Sequence, residues 1–312
     1  MRVVTFGEIM LRLSPPANTR FSQAQSYDAH YGGSESNVAA ALAQFGVDAR
    51  FVTRLPDNDI SDGAVAGLRA LGVDTSEIAR GGERVGVYYL ERGAGQRPSR
   101  VIYDRKNSAI ATASRDNFDW KRIIGGADWF HFSGITPALG ENVAEIALDA
   151  VTCAKRCGAT VSCDLNYRTA LWSIGDARRV MARFAPHIDI MIANETQLRD
   201  VFGDDAHFPI AATTVRGGSS ADENDFAGEL RIGGTVYRSR GYRLSIVDRI
   251  GGGDAFAAGL IYAQLNGYAP QDAVEFAAAA GALKHTIDGD VLLANVSEVE
   301  AVVDGGDGRV DR

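Results

Sequence analysis

Apolar and polar positions along the chain fall into two alternating rhythms. "VVTFGE" (Val3–Glu8) is a short apolar run of the kind a buried strand makes, and the polar stretch "SPPANTRFSQAQSYDAHYGG" beyond it reads as a long connection without an element of its own. "GGSESNVAAALAQFGV" switches to a helical pattern. Ser34 or Ser36 is placed to cap a helix that runs to about Phe45 and ends at Gly46, and "DARFVTRL" returns as a strand. A second capped helix in "PDNDISDGAVAGLRALGV" closes at Gly72. "ERVGVYYLERGAGQRPSRVIYDRK" then holds two strand-like runs around a glycine-rich turn, which predicts a β-hairpin inserted mainly by residues 83–105.

From "ADWFHFSGI" to "DIMIANETQLRDVF" strands and helices alternate again. That order predicts an α/β fold: a mostly parallel sheet covered by helices, with right-handed crossovers and ligands beyond the carboxyl ends of the strands. "AATTVRGGSSADENDFAGELRIGGTVYRSR" adds a strand, a glycine turn and a small antiparallel section. "VDRIGGGDAFAAGLIYAQL" runs three glycines into a helix expected from about Asp254, and two late helices follow, from Gln271 to about Lys284 and from about Ser297. The tail "DGGDGRVDR" reads as frayed. With no repeat and no low-complexity linker, residues 1–312 are expected to form a single domain carrying the hairpin as a lid.

Composition narrows the function classes. The 312 residues are 46% apolar and 23% charged, as in ordinary globular chains. The net charge of −8 argues against nucleic-acid partners, which call for a basic field, so an anionic ligand needs a few local arginines. Cys153, Cys157 and Cys163 are an odd set without further Cys or His at metal-ligand spacing, and they read as reduced thiols rather than disulfide or zinc partners. No signal-peptide pattern and no apolar run near the roughly 20 residues of a membrane span occur, so a cytoplasmic protein with no membrane partner is expected.

The glycine run carries the chemistry. A helix starting there leaves the N–H groups of Gly251, Gly252 and Gly253 without helical acceptors, adds the positive end of its dipole, and so attracts phosphate. Asp254 sits where the anion would bind. It reads either as a plain N-cap or as a base that accepts the proton of an alcohol attacking a terminal phosphate. Neither a P-loop nor a G-x-G-x-x-G fingerprint is present.

"DRIGGGDAFAAG" resembles the C-terminal signature D-T-x-G-A-G-D-x-F of the ribokinase-like (PfkB) carbohydrate kinases. "YGGSESNVAAALAQFG" resembles their sugar-binding G-G-x-x-x-N-x-A, and "IANETQL" their N-x-x-E motif. Arg249 and Ile250 depart from the commoner residues, and only "GDDAHFPIA" separates the N-x-x-E helix from the next strand, where relatives insert a further helix and loop. Within the family, "VYYLERG", "VIYDRKNSAIA" and "DLNYRTALW" are similar to the kinases of 2-dehydro-3-deoxy-D-gluconate, which act at its 6-hydroxyl.

The resemblance implies ATP and Mg²⁺ as cofactors, a sugar-acid substrate, and a homodimer or larger assembly through the lid. It implies Asp254 as the base, with Gly251, Gly252 and Gly253 as the phosphate cradle. Gly33, Ser34 and Asn37 would meet sugar oxygens, Tyr88 and Tyr103 would wall the sugar, and Arg105 and Arg168 would bind its carboxylate, which suits a guanidinium fork. Asp290 would approach the substrate. Thr214, Arg216 and Gly217 would lie along the nucleotide, and Asn194 and Glu195 would act on Mg²⁺ through water. Residue by residue, blander roles stay open: exposed arginines, cross-strand packing of the tyrosines, helix capping by Asn194, a turn at Asp290. His131 reads as a strand residue. A related sugar kinase, for fructose, ribose or 2-keto-3-deoxygalactonate, and a sugar-acid sensor without turnover are the competing readings.

Overall fold

A computed structural model describes residues 1–204, 207–218 and 220–305. The chain runs β1 (Arg2–Phe6), β2 (Met10–Ser14), β3 (Asp28–Gly32), α1 (Ser34–Gln44), β4 (Asp48–Val52), β5 (Arg54–Leu55), α2 (Asp59–Ala70), β6 (Ala79–Arg80), β7 (Gly86–Glu91) and β8 (Arg100–Asp104). It continues through α3 (Trp120–Ile124), β9 (Trp129–Ser133), α4 (Ile135–Ala138), α5 (Glu141–Arg156), β10 (Thr160–Asp164), α6 (Ile174–Phe184), β11 (Ile190–Ile192) and α7 (Glu195–Phe202). The last part holds β12 (Ile210–Gly217), β13 (Glu223–Ile232), β14 (Thr235–Arg238), β15 (Tyr242–Ser245), α8 (Gly252–Leu265), α9 (Pro270–Lys284) and α10 (Val296–Val303).

The main sheet has the order β14-β13-β12-β11-β10-β9-β1-β4, with β15 also on β13. The stretch from β4 to β12 is parallel, and β13 turns antiparallel to β12. Period-two side-chain alternation explains why helices cover both faces. Val3, Phe51, Trp129 and Ile190 enter the core beneath α1, α2, α8 and α9, while their neighbours Val4, Val52, Phe130 and Met191 enter the one beneath α3, α5 and α6. Parallel strands end on one edge, and the site lies beyond that edge.

Two expectations change. The segment read as a bare connection contains β3, and β2 lies just before it; together with β7 and β8 they make a four-stranded lid in the order β3-β2-β7-β8. The hairpin is there, with Tyr88 opposite Tyr103, but it is half of a larger sheet. The apolar rhythm hides β2 because its inward face carries Arg12 and Ser14, which bond to each other at 2.9 Å instead of packing as hydrocarbon. The cap of α1 is Gly33, not a serine: it passes so close to β1's outgoing loop that an added Cβ would lie 1.8 Å from the Glu8 carbonyl oxygen. Ser36 instead donates to the Gly33 carbonyl at 2.9 Å.

The lid tip also touches the loop after β12. The Ala221 N–H donates to the Gly95 carbonyl at 2.8 Å, and Gly95 N–H donates to the Asp222 carboxylate. The short link from Gly203 to Ile210 joins α7 directly to β12; its Asp205 and Ala206 lie outside the described residues, as does the end of the tail from residue 306. The cysteines are free, with Cys163 buried, and His131 is a fully buried residue of β9 whose ring burial holds neutral, its pKa lowered to about 3. No helix among the described residues is long and apolar enough to cross a membrane.

Helices α8 and α9 are alanine-rich because their backbones nearly touch. An added Cβ at Gly259 would lie 2.9 Å from Ala277 Cα. Gly259→Val should therefore overpack this seam and lower stability by about 1–3 kcal/mol, read as a lower urea midpoint with an unchanged slope; an unchanged midpoint would show that the helices part freely.

Candidate active site

The glycine run breaks differently from the pattern expected for it. Helix α8 begins at Gly252, with Gly251 as N-cap in the left-handed region at φ 82°. Gly251 has no alternative, since a Cβ there would lie 1.8 Å from the Asp290 carbonyl oxygen. The first helical bond runs from Ala255 N–H to the Gly251 carbonyl at 2.8 Å, so the N–H groups of Gly252, Gly253 and Asp254 have no acceptor within the helix. Asp254 is thus the third residue of the helix and not its N-cap. Its carboxylate accepts from Ser34 Oγ at 2.9 Å and from Asn37 Nδ2 at 2.7 Å, both on the first turn of α1. Two helix starts face each other, one presenting amides and the other fixing the acid beside them. Burial raises the Asp254 carboxyl above its ordinary range, and the hydrogen bonds from Asn37 and Ser34 work against that rise.

These groups line a cleft of about 590 Å³ between the lid and the carboxyl edge of the main sheet. Gly33, Ser34 and Asn37 line it, Tyr88, Tyr103 and Arg105 come from the lid, and Arg168 and Asn194 line it as well. Thr214, Arg216, Gly251 and Gly253 line the far end, Arg216 being close enough that a Cβ on Gly253 would sit 3.5 Å from its Nη2. Gly252 turns away from the cleft and packs on the His285 ring. Gly217 lies outside the lining.

The two arginines are not equivalent. Arg105 is buried, and its guanidinium pairs with Glu8, which also accepts from Ser108 Oγ at 2.5 Å. Arg168 is exposed in the cleft, and its guanidinium makes no hydrogen bond or ion pair among the described residues. Its guanidinium is open to an incoming carboxylate, and Arg105 lines the same cleft with its Nε unpartnered among the described residues. Glu195 does not reach the cleft: its side chain is 77% exposed and faces Arg231 at 3.5 Å. Counted from Asn194, the fourth place of the motif is Gln197, and Gln197 lines the cleft. Asn194 also caps α7, its Oδ1 accepting from Gln197 N–H at 2.8 Å. Glu195 therefore does not suit the indirect magnesium role expected for it.

Several participants carry no signal in the periodicity. Arg12 is fully buried in β2 and forks between Asp248, at 2.5 Å, and Asp290, at 2.7 Å. Asp290 also accepts from the Tyr88 hydroxyl, and burial first and Asp290 second raise that phenol well above its normal range. Asp248 accepts from Ile250 N–H at 3.0 Å and so shapes the entry to the cradle. Arg249 donates to the Ser220 and Ala221 carbonyls. Asn166 bends left-handed at φ 36° and reaches Ser34 Oγ at 3.4 Å, while Asp164 faces the cleft two residues earlier. The stretch "DLNYR" offered both, but only its arginine has a chemistry that sequence alone singles out.

A parallel sheet with a β lid, an amide cradle and a fixed acid beside it define a phosphotransferase of the ribokinase-like fold. The chain belongs to the pfkB family of carbohydrate kinases, whose model matches residues 1–291. A solved 2-dehydro-3-deoxygluconokinase from Thermotoga maritima aligns with a TM-score of 0.95 and 48% identity, over 98% of this chain and 100% of that one. A 2-dehydro-3-deoxygalactonokinase from Haloferax volcanii is 37% identical over 99% of each chain, and a 2-dehydro-3-deoxygluconokinase from Thermoproteus tenax is 28% identical over 92% of this chain and 89% of its own.

Burial, with Asp254 nearby, lifts the Asp164 carboxyl to about 7, against a pull downward from Arg168. An unfolded aspartate titrates near 4, so between these values the native state holds the extra proton. The stability this proton confers is complete below about pH 4 and is lost as pH rises through 7. The melting temperature of Asp164→Asn minus that of the unaltered protein should accordingly grow from pH 5 to pH 8, and a constant difference would place the Asp164 titration elsewhere.

Proposed function

We propose that the protein transfers the γ-phosphoryl group of ATP to the 6-hydroxyl of 2-dehydro-3-deoxy-D-gluconate. The observation that carries this reading is Asp254, an acid fixed by Ser34 and Asn37 beside the unpaired amides of an anion cradle. The sugar's primary hydroxyl lies against Asp254, whose carboxylate takes the proton as the hydroxyl oxygen bonds to the γ-phosphorus and the bond to the ADP oxygen breaks. Negative charge on the moving group is met by the N–H groups at the start of α8. Thr214 and Arg216 follow the nucleotide phosphates, with Gly217 beyond them toward the ribose.

Bound Mg²⁺ would supply positive charge against the nucleotide phosphates. Asn194 and Gln197, which both line the cleft, would steady its water shell. At the sugar end, Arg168 meets the substrate carboxylate, and the buried Arg105 stiffens the lid through Glu8. Gly33, Tyr103 and Asp290 shape the sugar pocket, and the lid excludes water during transfer. The galactonate epimer is the second reading, supported by the 37% identical relative of that name.

ADP release should be fastest with a 2-dehydro-3-deoxy sugar acid, with the gluconate form ahead of its galactonate epimer; faster turnover of fructose or ribose would sink the sugar-acid reading. Asp254→Asn should cut kcat by about 10²–10⁴-fold, the usual scale for a general base, while sugar binding measured by calorimetry persists. Arg168→Ala should raise KM for the acid far more than it changes kcat, and an unaltered KM would remove Arg168 from carboxylate recognition.

A further inference from the structure

Lys284 closes α9 and is fully buried. Its Nζ donates to the Ile287 carbonyl at 3.0 Å, and among the described residues it has no carboxylate within ion-pairing distance. An ammonium has three donors, so this one is underused for so deep a site. The side chain runs directly behind the cradle: a Cβ added to Gly251 would lie 3.3 Å from Lys284 Cε. The backbone on both sides is tied together, since the N–H groups of Val247 and Asp248 both donate to the His285 carbonyl, at 2.8 and 3.2 Å.

Burying a cation without a salt bridge is costly, and hydrocarbon of the same length would fill the space more cheaply. Burial lowers the Lys284 pKa, while Asp248 and Asp290 pull it back up, and their charges are already shared with Arg12. A helix-end cation is a common stabilising device, but such lysines sit at the surface, where the ammonium stays hydrated.

We infer that Lys284 is a positioning residue for phosphoryl transfer: a fixed positive charge behind the amide cradle that holds the Gly251 loop and adds to the field met by the migrating phosphoryl group. It acts through the loop and does not touch the substrate. The inference rests on the kinase reading, which turnover by the unaltered protein tests separately.

Lys284→Met keeps the volume and removes the charge. If the charge serves the cradle, kcat should fall by about tenfold or more, less than the loss of a direct oxyanion donor, with KM for the sugar and the melting temperature held or the latter raised. If Lys284 only caps α9, the melting temperature should fall with kcat within twofold, which would overturn the inference. Lys284→Ala provides the second arm, since it leaves space for a small cation. Ammonium chloride should restore part of its kcat where choline chloride at equal ionic strength does not, and the unaltered protein should respond to neither. A folded alanine variant that is impaired and shows no ammonium-specific recovery also overturns the inference.

Discussion

The fork of Arg12 between Asp248 and Asp290 is the constraint on which the site depends. Arg12 belongs to the lid, Asp248 precedes the Gly251 loop and Asp290 lines the cleft, so one buried guanidinium joins three parts of the chain. The attraction of Asp290 and Asp248 overcomes burial and holds the Arg12 charge more firmly than in water. A pair of this kind adds little net stability compared with well-packed hydrocarbon, yet removing one member leaves charges stranded. What it supplies is a unique arrangement: β2 has one register in which its arginine meets both acids.

With that register set, the other charges sort themselves by whether they are free. Arg105 is committed to Glu8, and Asp290 to Arg12 and Tyr88. Asp254 is held by two neutral donors and keeps its capacity to take a proton. Among the described residues the Arg168 guanidinium has no partner and faces the cleft, and Arg216 stands near the cradle, its guanidinium pKa lowered by burial. The pocket is therefore less a ring of interchangeable polar groups than a rigid charged frame with a few open valences.

Much of this was legible in the sequence, for stated reasons. Short apolar runs alternating with capped helices pointed to the main sheet, since Val3 and Val4 or Phe51 and Val52 face opposite sides and both sides are covered. The unpaired amides of this helix start were legible because three glycines run straight into an apolar helix, but taken alone that stretch reads equally as a capped turn. The exact start of α8 was not, because the φ of Gly251 is imposed by the Asp290 carbonyl, distant in sequence. Nor was β2, whose inward face is ionic, nor the contrast between Arg105 and Arg168, which depends on Glu8 lying 97 positions from Arg105. Glu195 was misplaced by spacing, and Gln197 occupies the position that faces the cleft.

The contact of Gly95 with the Ala221 N–H and the Asp222 carboxylate has a mechanical consequence. The lid tip and the exit from β12 are one clasp, and Arg249 fastens the same loop to the start of the cradle through the Ser220 and Ala221 carbonyls. Lifting the lid away means unhooking the loop at the opposite end of the cleft. The two halves of the pocket are thus joined at this clasp as well as through the Arg12 fork.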